Sequence, residues 1–290
     1  MTRTLLSFGH GYSARALSRL LVPQGWRVIG TTRSAEKADA LKAEGIEPVI
    51  WPGTNMAPYL EQASHLLISA APDDDGDPVL NALSNQIAAA APFEWSGYLS
   101  TTGVYGDHQG GWVDETTPLT PSTKRGHHRV KAEGQWQALA ERAAINLHIF
   151  RLAGIYGPGR GPFAKVRNGT ARRIIKPNQV FSRIQVDDIA QVLTASIARP
   201  NPGAIYNVCD GNAAPPEDVI GYAAELLGLP LPPKENWDTA QMTPMARSFY
   251  AESKRVRNNR IIDELGVELL FPDYKAGLEA LLGDGGTTDD

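Results

Sequence analysis

The chain has 290 residues, one cysteine and a formal net charge of -4, from 28 Lys+Arg against 32 Asp+Glu. That length gives one large domain or two modest ones. Cys209 alone excludes an internal disulfide and a multi-cysteine zinc site, and no His/Asp/Glu spacing suggests another metal. The acidic balance argues against a nucleic-acid partner, and no apolar run approaches the roughly 18 residues of a membrane span. A soluble cytoplasmic protein with a small-molecule ligand is expected, its oligomeric state open.

Thr4–Gly9 reads as a first strand and Ser13–Leu21 as a helix with Ala14, Leu17, Leu20 and Leu21 on one face. Arg27–Thr31 is a second strand, and Ser34 caps a short helix that ends at Gly45. Glu47–Trp51 and His65–Ala70 follow as strands, Pro78–Ala91 as a helix and Trp95–Ser100 as a fifth strand. A long helix over about Lys124–Ala144 leads to a sixth strand, Asn146–Leu152. Farther on, Phe181–Val186 and Ala204–Cys209 read as strands, and Asp187–Ala198 and Pro216–Leu227 as helices.

Alternating strands and helices with right-handed crossovers predict an α/β fold, a doubly wound parallel sheet covered on both faces. Residues 1–155 plus about 180–209 are assigned to this unit. About 156–179 plus 210–283 are assigned to a smaller C-terminal lobe, and 284–290 to a frayed tail.

The strongest local signal is strand, then Gly9-His10-Gly11-Tyr12-Ser13-Ala14, then helix. Gly9 permits a tight turn, Gly11 lets a pyrophosphate approach the backbone, and Ala14 lets the helix pack close to the sheet. The helix N-terminus then offers N–H groups to phosphate. The His10 side chain is expected to point to solvent. The second strand ends Thr31-Thr32-Arg33-Ser34, with no acid before Glu36 to hold a ribose 2′-hydroxyl. Arg33 suits a 2′-phosphate, so NADP is favoured, with NAD as the other candidate.

Four further segments stand out: Ser100-Thr-Thr-Gly-Val-Tyr-Gly106, Asp114-Glu-Thr-Thr-Pro-Leu-Thr-Pro121, Arg151-Leu-Ala-Gly-Ile-Tyr-Gly-Pro-Gly159 and Val186-Asp-Asp-Ile-Ala190. With them the chain resembles the extended short-chain dehydrogenase/reductases from about Thr4 to Leu282, and especially an atypical epimerase/dehydratase-like branch. The resemblance implies a Rossmann-like dinucleotide-binding unit and an oxidoreductase or epimerase-like activity on a small or sugar-like carbonyl substrate. It places Thr101 where a hydroxyl polarises the substrate oxygen. It sets Thr32, Arg33, Ser34, Ala70 and Ala71 at the cofactor edge beside the Gly9–Ala14 turn. Tyr105, Tyr156 and Arg183 are expected at the substrate cleft, with packing the safer role for the two tyrosines. Asp187 and Asp188 are expected to cap the helix after them.

Relatives of this kind carry a Tyr-x-x-x-Lys pair on the helix after Thr101. The matching segment is Arg125-Gly-His-His-Arg-Val-Lys-Ala-Glu133, without the tyrosine. If Lys131 takes the lysine position, His127 falls on the tyrosine position and can carry a proton while Lys131 holds the ribose. If Gly126 and Glu133 set the register, the pair becomes Arg125 and Arg129, and no proton carrier remains. The alternative to an enzyme is a dinucleotide-binding sensor without turnover.

Overall fold

The alternating runs of the first half build one parallel sheet, and the computed structural model describes residues 3–283 of the chain. The tail expected at 284–290 lies outside the described residues. β1 (Thr4–Phe8) is buried along its whole length, as a parallel strand covered on both faces must be. It turns through Gly9 into α1 (Tyr12–Leu21), which a turn containing Pro23 stops. β2 (Arg27–Thr32) follows, then α2 (Ala35–Ala43), whose N-cap Ser34 Oγ accepts from the Lys37 N–H. β3 (Glu47–Ile50), α3 (Ala57–Gln62) and β4 (His65–Ile68) come next. α4 (Pro78–Ala90) is capped by the buried Asp77, whose Oδ1 accepts from Val79 and Leu80 N–H at 2.9 and 3.0 Å.

β5 (Trp95–Thr101) runs into a 3-10 turn, Thr102–Tyr105, and then β6 (Trp112–Val113). α5 (Lys124–Ala143) starts at Thr123, whose Oγ1 accepts from Gly126 N–H at 3.1 Å. β7 (Leu147–Leu152) and β8 (Gly154–Tyr156) lead to α6 (Phe163–Arg167) and β9 (Arg173–Ile175). β10 (Arg183–Gln185), α7 (Val186–Ala198) and β11 (Ile205–Val208) return to the sheet. The remainder is α8 (Pro216–Leu226), β12 (Lys234–Asn236), α9 (Pro244–Phe249), β13 (Arg255–Val256), α10 (Asn259–Asp263) and α11 (Tyr274–Gly283).

The large sheet has the order β11-β7-β5-β4-β1-β2-β3, with every pairing parallel. The order reverses between β1 and β4, so a crevice opens beyond their C-terminal ends. α1 and α7 pack together on one face, over Leu5, Leu67 and Phe150. α4 and α5 pack on the other, over Leu6, Leu66 and Tyr98. This is the α/β, doubly wound, Rossmann-like architecture that the alternation predicts. No helix among the described residues is long and apolar enough to cross a membrane.

A second core gathers Phe163, Val166, Val219, Ala223, Leu278 and Leu281 from α6, α8 and α11. The segment 255–267 departs from its expected place in this lobe. β13 pairs with β6, and Val256, Ile261 and Leu265 join the core of the large sheet. There their apolar side chains are buried with Ile189, Val192, Tyr206 and Val208 of α7 and β11. The cap of α7 also differs from expectation. Gln185 caps the helix by accepting from the Asp187 N–H, while Asp188 instead accepts from Leu270 and Phe271 N–H at 2.7 and 3.1 Å.

Candidate functional site

At the crevice, β1 ends in a turn that only glycine fits. Gly9 has φ of +74°, and a Cβ there would lie 2.8 Å from the Ala70 nitrogen just after β4. Thr31 of β2 closes the turn from the other side: its Oγ1 accepts from Gly9 N–H at 2.8 Å and its carbonyl from His10 N–H at 2.9 Å. Gly11 is the N-cap of α1, exposed and with no side chain capping the helix. A Cβ on Gly11 would meet nothing closer than the Gly9 carbonyl, at 3.7 Å. Ala14 is fully buried against the sheet. The first turn of α1, with no side chain capping it, therefore faces an open approach, which suits a phosphate. Thr32 is buried, Ser34 caps α2, and Arg33 is exposed at the end of β2.

The His10 side chain does not point to solvent. Its ring packs on Gly30, where a Cβ would come within 2.7 Å of His10 Cγ, and its Nε2 lies 3.3 Å from Ser18 Oγ. Burial, helped by the positive charge of Arg15, pulls its pKa down to about 4. His10 supports the turn from beneath, so only its backbone is available to a ligand.

The turn opens onto a cleft of about 850 Å³ between the sheet edge and the small lobe. Tyr12 and Ser13 of α1, Ala71 after β4 and Thr101 at the end of β5 line one side. Thr101 Oγ1 accepts from Gly103 N–H at 3.2 Å and so shapes the 3-10 turn. Gly126 lets the start of α5 approach that turn: a Cβ there would fall 2.9 Å from Gly103 O.

The rotation of α5 decides between the two registers of its motif. Ala132, Glu133, Trp136 and Leu139 are its buried stripe. Arg129 and Arg125 continue that stripe one and two turns back, and both line the cleft. Arg129 Nη1 donates to Tyr98 Oη at 3.1 Å and to Leu99 O at 2.5 Å. Arg125 lies over the Phe249 ring, 5.0 Å from its centroid. His127 and Lys131 are exposed and line no part of the cleft. The placement expected of that pair, beside the cofactor, is thus corrected: a residue two places from Arg125 is about 200° away around the helix. Trp136 and Ala132, spaced back to Arg129 and Arg125, were the signal for this in the sequence.

Tyr105 is also displaced from its expected place. It is fully buried, donates to Asn207 Oδ1 at 2.7 Å and accepts from Arg151 Nη1 at 3.0 Å, away from the cleft. Burial pushes its phenol up to about 12. Tyr156 and Arg183 do line the cleft. Tyr156 packs on Gly277 of α11, and burial raises its pKa.

The opposite wall holds residues that no motif announced. Glu252 and Lys254 flank Ser253, which ties this strand down by accepting from His108 and Gly110 N–H at its carbonyl. Lys254 Nζ donates to Glu252 Oε2 at 2.6 Å and to Gly106 O at 2.7 Å, while Ser122 Oγ donates to Glu252 Oε1 at 2.6 Å. The pair thereby links the two segments that present Thr101 and Arg125. Its partners are far away in sequence, so periodicity carried no signal of it.

Comparison with known proteins matches residues 86–209 to the NAD dependent epimerase/dehydratase family. The chain is 65% identical to a functionally unknown conserved protein from Silicibacter pomeroyi DSS, over 98% of this chain and 99% of that one, with a TM-score of 0.94. It is 29% identical over 284 residues to Protein YeeZ of Escherichia coli K12, covering 91% of this chain and 95% of that protein. The UDP-glucuronic acid 4-epimerase of Bacillus cereus, solved in complex with NAD, shares the fold at 16% identity, with a TM-score of 0.78 over 96% of each chain. By its sequence motifs, its strand order and these matches, the chain belongs to the NAD dependent epimerase/dehydratase family.

Proposed function

We propose that the chain is an NAD(P)-dependent oxidoreductase or epimerase-like protein acting on a small or sugar-like carbonyl substrate. The observation that carries this reading is the uncapped α1 N-terminus, with Gly11 exposed, opening onto the same cleft as Thr101. Gly9, Gly11, Tyr12 and Ala14 fit a dinucleotide pyrophosphate, with Ala70 and Ala71 at the neighbouring strand end. Thr32, Arg33 and Ser34 fit the ribose beyond it, and Arg33 favours NADP over NAD. A bound nicotinamide would supply or accept the hydride. Thr101 orients the substrate oxygen, and Arg129, pinned to Tyr98 and Leu99, occupies the place read in the sequence as ribose-holding.

A second reading, dinucleotide binding without turnover, is favoured by one observation. Arg125 stands in the cleft where relatives are read to carry the proton donor, and a guanidinium stays charged. A water or a cleft tyrosine must then move the proton if turnover occurs. Calorimetric titration with NADP and NAD tests the shared part, and absorbance of NADPH against a panel of aldehydes and ketones separates the two readings. Tight NADP binding with no oxidation of NADPH favours the sensor. No binding of either dinucleotide overturns both.

A further inference from the structure

Four arginines line the cleft, Arg125, Arg129, Arg160 and Arg183, and they differ in what holds them. Arg129 is pinned to Tyr98 and Leu99. Arg183 Nη1 donates to Phe181 O at 2.8 Å and to Ala214 O at 3.1 Å, and Arg125 lies over the Phe249 ring. Arg160 lies against the glycine turn instead. Its guanidinium sits over the Tyr12 ring, 5.7 Å from the centroid, and Tyr12 is the first residue of α1, directly after Gly11.

The loop that carries Arg160 is clipped to the same tyrosine. Gly157 N–H donates to Arg160 O at 3.0 Å and Arg160 N–H to Gly157 O at 2.9 Å, with Pro158 and Gly159 at the corner between them. Tyr12 Oη donates to Pro158 O at 2.9 Å. A Cβ on Gly157 would fall 2.5 Å from Tyr12 Oη, so a glycine is what lets the loop come this close. The backbone of Arg160 is thus fixed beside the start of α1, while its side chain is exposed and pairs with no carboxylate among the described residues. A ring face attracts a guanidinium without using its N–H donors, so the fork remains available to an oxyanion.

We propose that Arg160 is a clamp on the pyrophosphate of the dinucleotide, closing from the side of the loop on phosphates that the Gly9–Ala14 turn holds from the side of the sheet. This rests on the dinucleotide-binding part of the reading above. The planar fork suits two phosphate oxygens at once, and Tyr12 parks it where they arrive. Phe163, three residues after Arg160, is buried in the core of the small lobe. A guanidinium held on the phosphates therefore also holds that lobe against the cofactor turn.

Calorimetric titration of the whole protein with NADP, NAD and ADP-ribose tests this, because the three share the pyrophosphate and differ in the 2′-phosphate and the nicotinamide. Arg160→Met should weaken all three by the same factor, roughly tenfold to a hundredfold, and leave the ratio of NADP to NAD affinity unchanged. Arg160→Lys keeps the charge without the fork and should restore part of the loss. Tyr12→Phe keeps the ring but frees Pro158, and should give a smaller loss in the same direction. The melting temperature of Arg160→Met without ligand should match that of the unmodified protein, since the side chain is exposed. Unchanged affinities in Arg160→Met, a loss confined to NADP, or a loss absent from ADP-ribose overturns the clamp and leaves dinucleotide binding standing. If the unmodified protein binds none of the three, the dinucleotide reading falls and the clamp with it.

Discussion

Glu133 of α5 and Arg151 of β7 form a buried ion pair, with Arg151 Nη2 2.8 Å from Glu133 Oε2 and both side chains almost wholly dehydrated. Ser100 Oγ also donates to Glu133, and Arg151 reaches on to Tyr105. Glu133 lies four residues after Arg129 and eight after Arg125, so the pair fixes the rotation of α5 that presents both arginines to the cleft. Removing one partner leaves a buried charge unpaired. Glu133→Gln is expected to destabilise the fold by about 3–5 kcal/mol. Chemical denaturation measures this, and a loss below about 1 kcal/mol would contradict it.

The same rotation reverses the expectation for the histidine and lysine. His127→Phe and Lys131→Ala alter exposed positions and should change stability by no more than about 0.5 kcal/mol. Dinucleotide affinity and any NADPH oxidation should be unchanged in both. Arg129→Ala should weaken dinucleotide binding. A loss of binding in Lys131→Ala with none in Arg129→Ala would restore the other register.

Much of the fold was legible because parallel strands announce themselves as apolar runs and helices as 3.6-residue stripes. The Gly9–Ala14 turn was legible because its geometry admits so few residues. The register of α5 was harder to read, since His127, Lys131, Arg125 and Arg129 are all polar; the stripe of Ala132 and Trp136 carried a faint signal, and the long-range partner of Glu133 fixes it. His10 was misread for a related reason: nothing local says that Gly30, on the next strand β2, leaves room for a ring.

The two glycines of the turn should behave differently. Gly9→Ala forces a side chain into left-handed backbone against Ala70 and should cost about 1–3 kcal/mol. Gly11→Ala meets open space and should leave stability within about 0.5 kcal/mol, so any loss of dinucleotide affinity reads the ligand directly. Equal melting-temperature losses in the two variants would contradict this assignment.

His10 and His65 make the fold acid-sensitive. Burial is the main cause that lowers both pKa values from 6.5 to about 4, so the folded protein resists the proton that the unfolded chain accepts. Their stabilising effect is complete above pH 6.5, is lost as pH falls from 6.5 towards 4, and changes no further below that. For His10 the shift corresponds to about 3 kcal/mol. Urea titrations across this range should show the decline, and a smaller one in His10→Asn. A slope independent of His10 would overturn its share.

Arg33 should set cofactor preference. A charge-assisted contact to a 2′-phosphate favours NADP by roughly tenfold to a hundredfold. Arg33→Ala should bring the two dissociation constants together with little change for NAD. Equal constants in the unmodified protein would remove the basis for preferring NADP.

The path of the chain has a mechanical consequence. After β8 it enters the small lobe, comes back for β10, α7 and β11, leaves again through α8, and comes back once more at β13 and α10 before α11. On that last return Asn258 Nδ2 donates to Cys209 O and Arg260 Nη1 to Ile205 O, stitching late sequence to the sheet edge. A protease cut at the Pro158–Gly159 loop or ahead of α9 therefore releases no lobe; the fragments stay threaded through one another. Neither lobe can melt ahead of the other without breaking the strands of both, so heating should give one calorimetric peak for the whole chain.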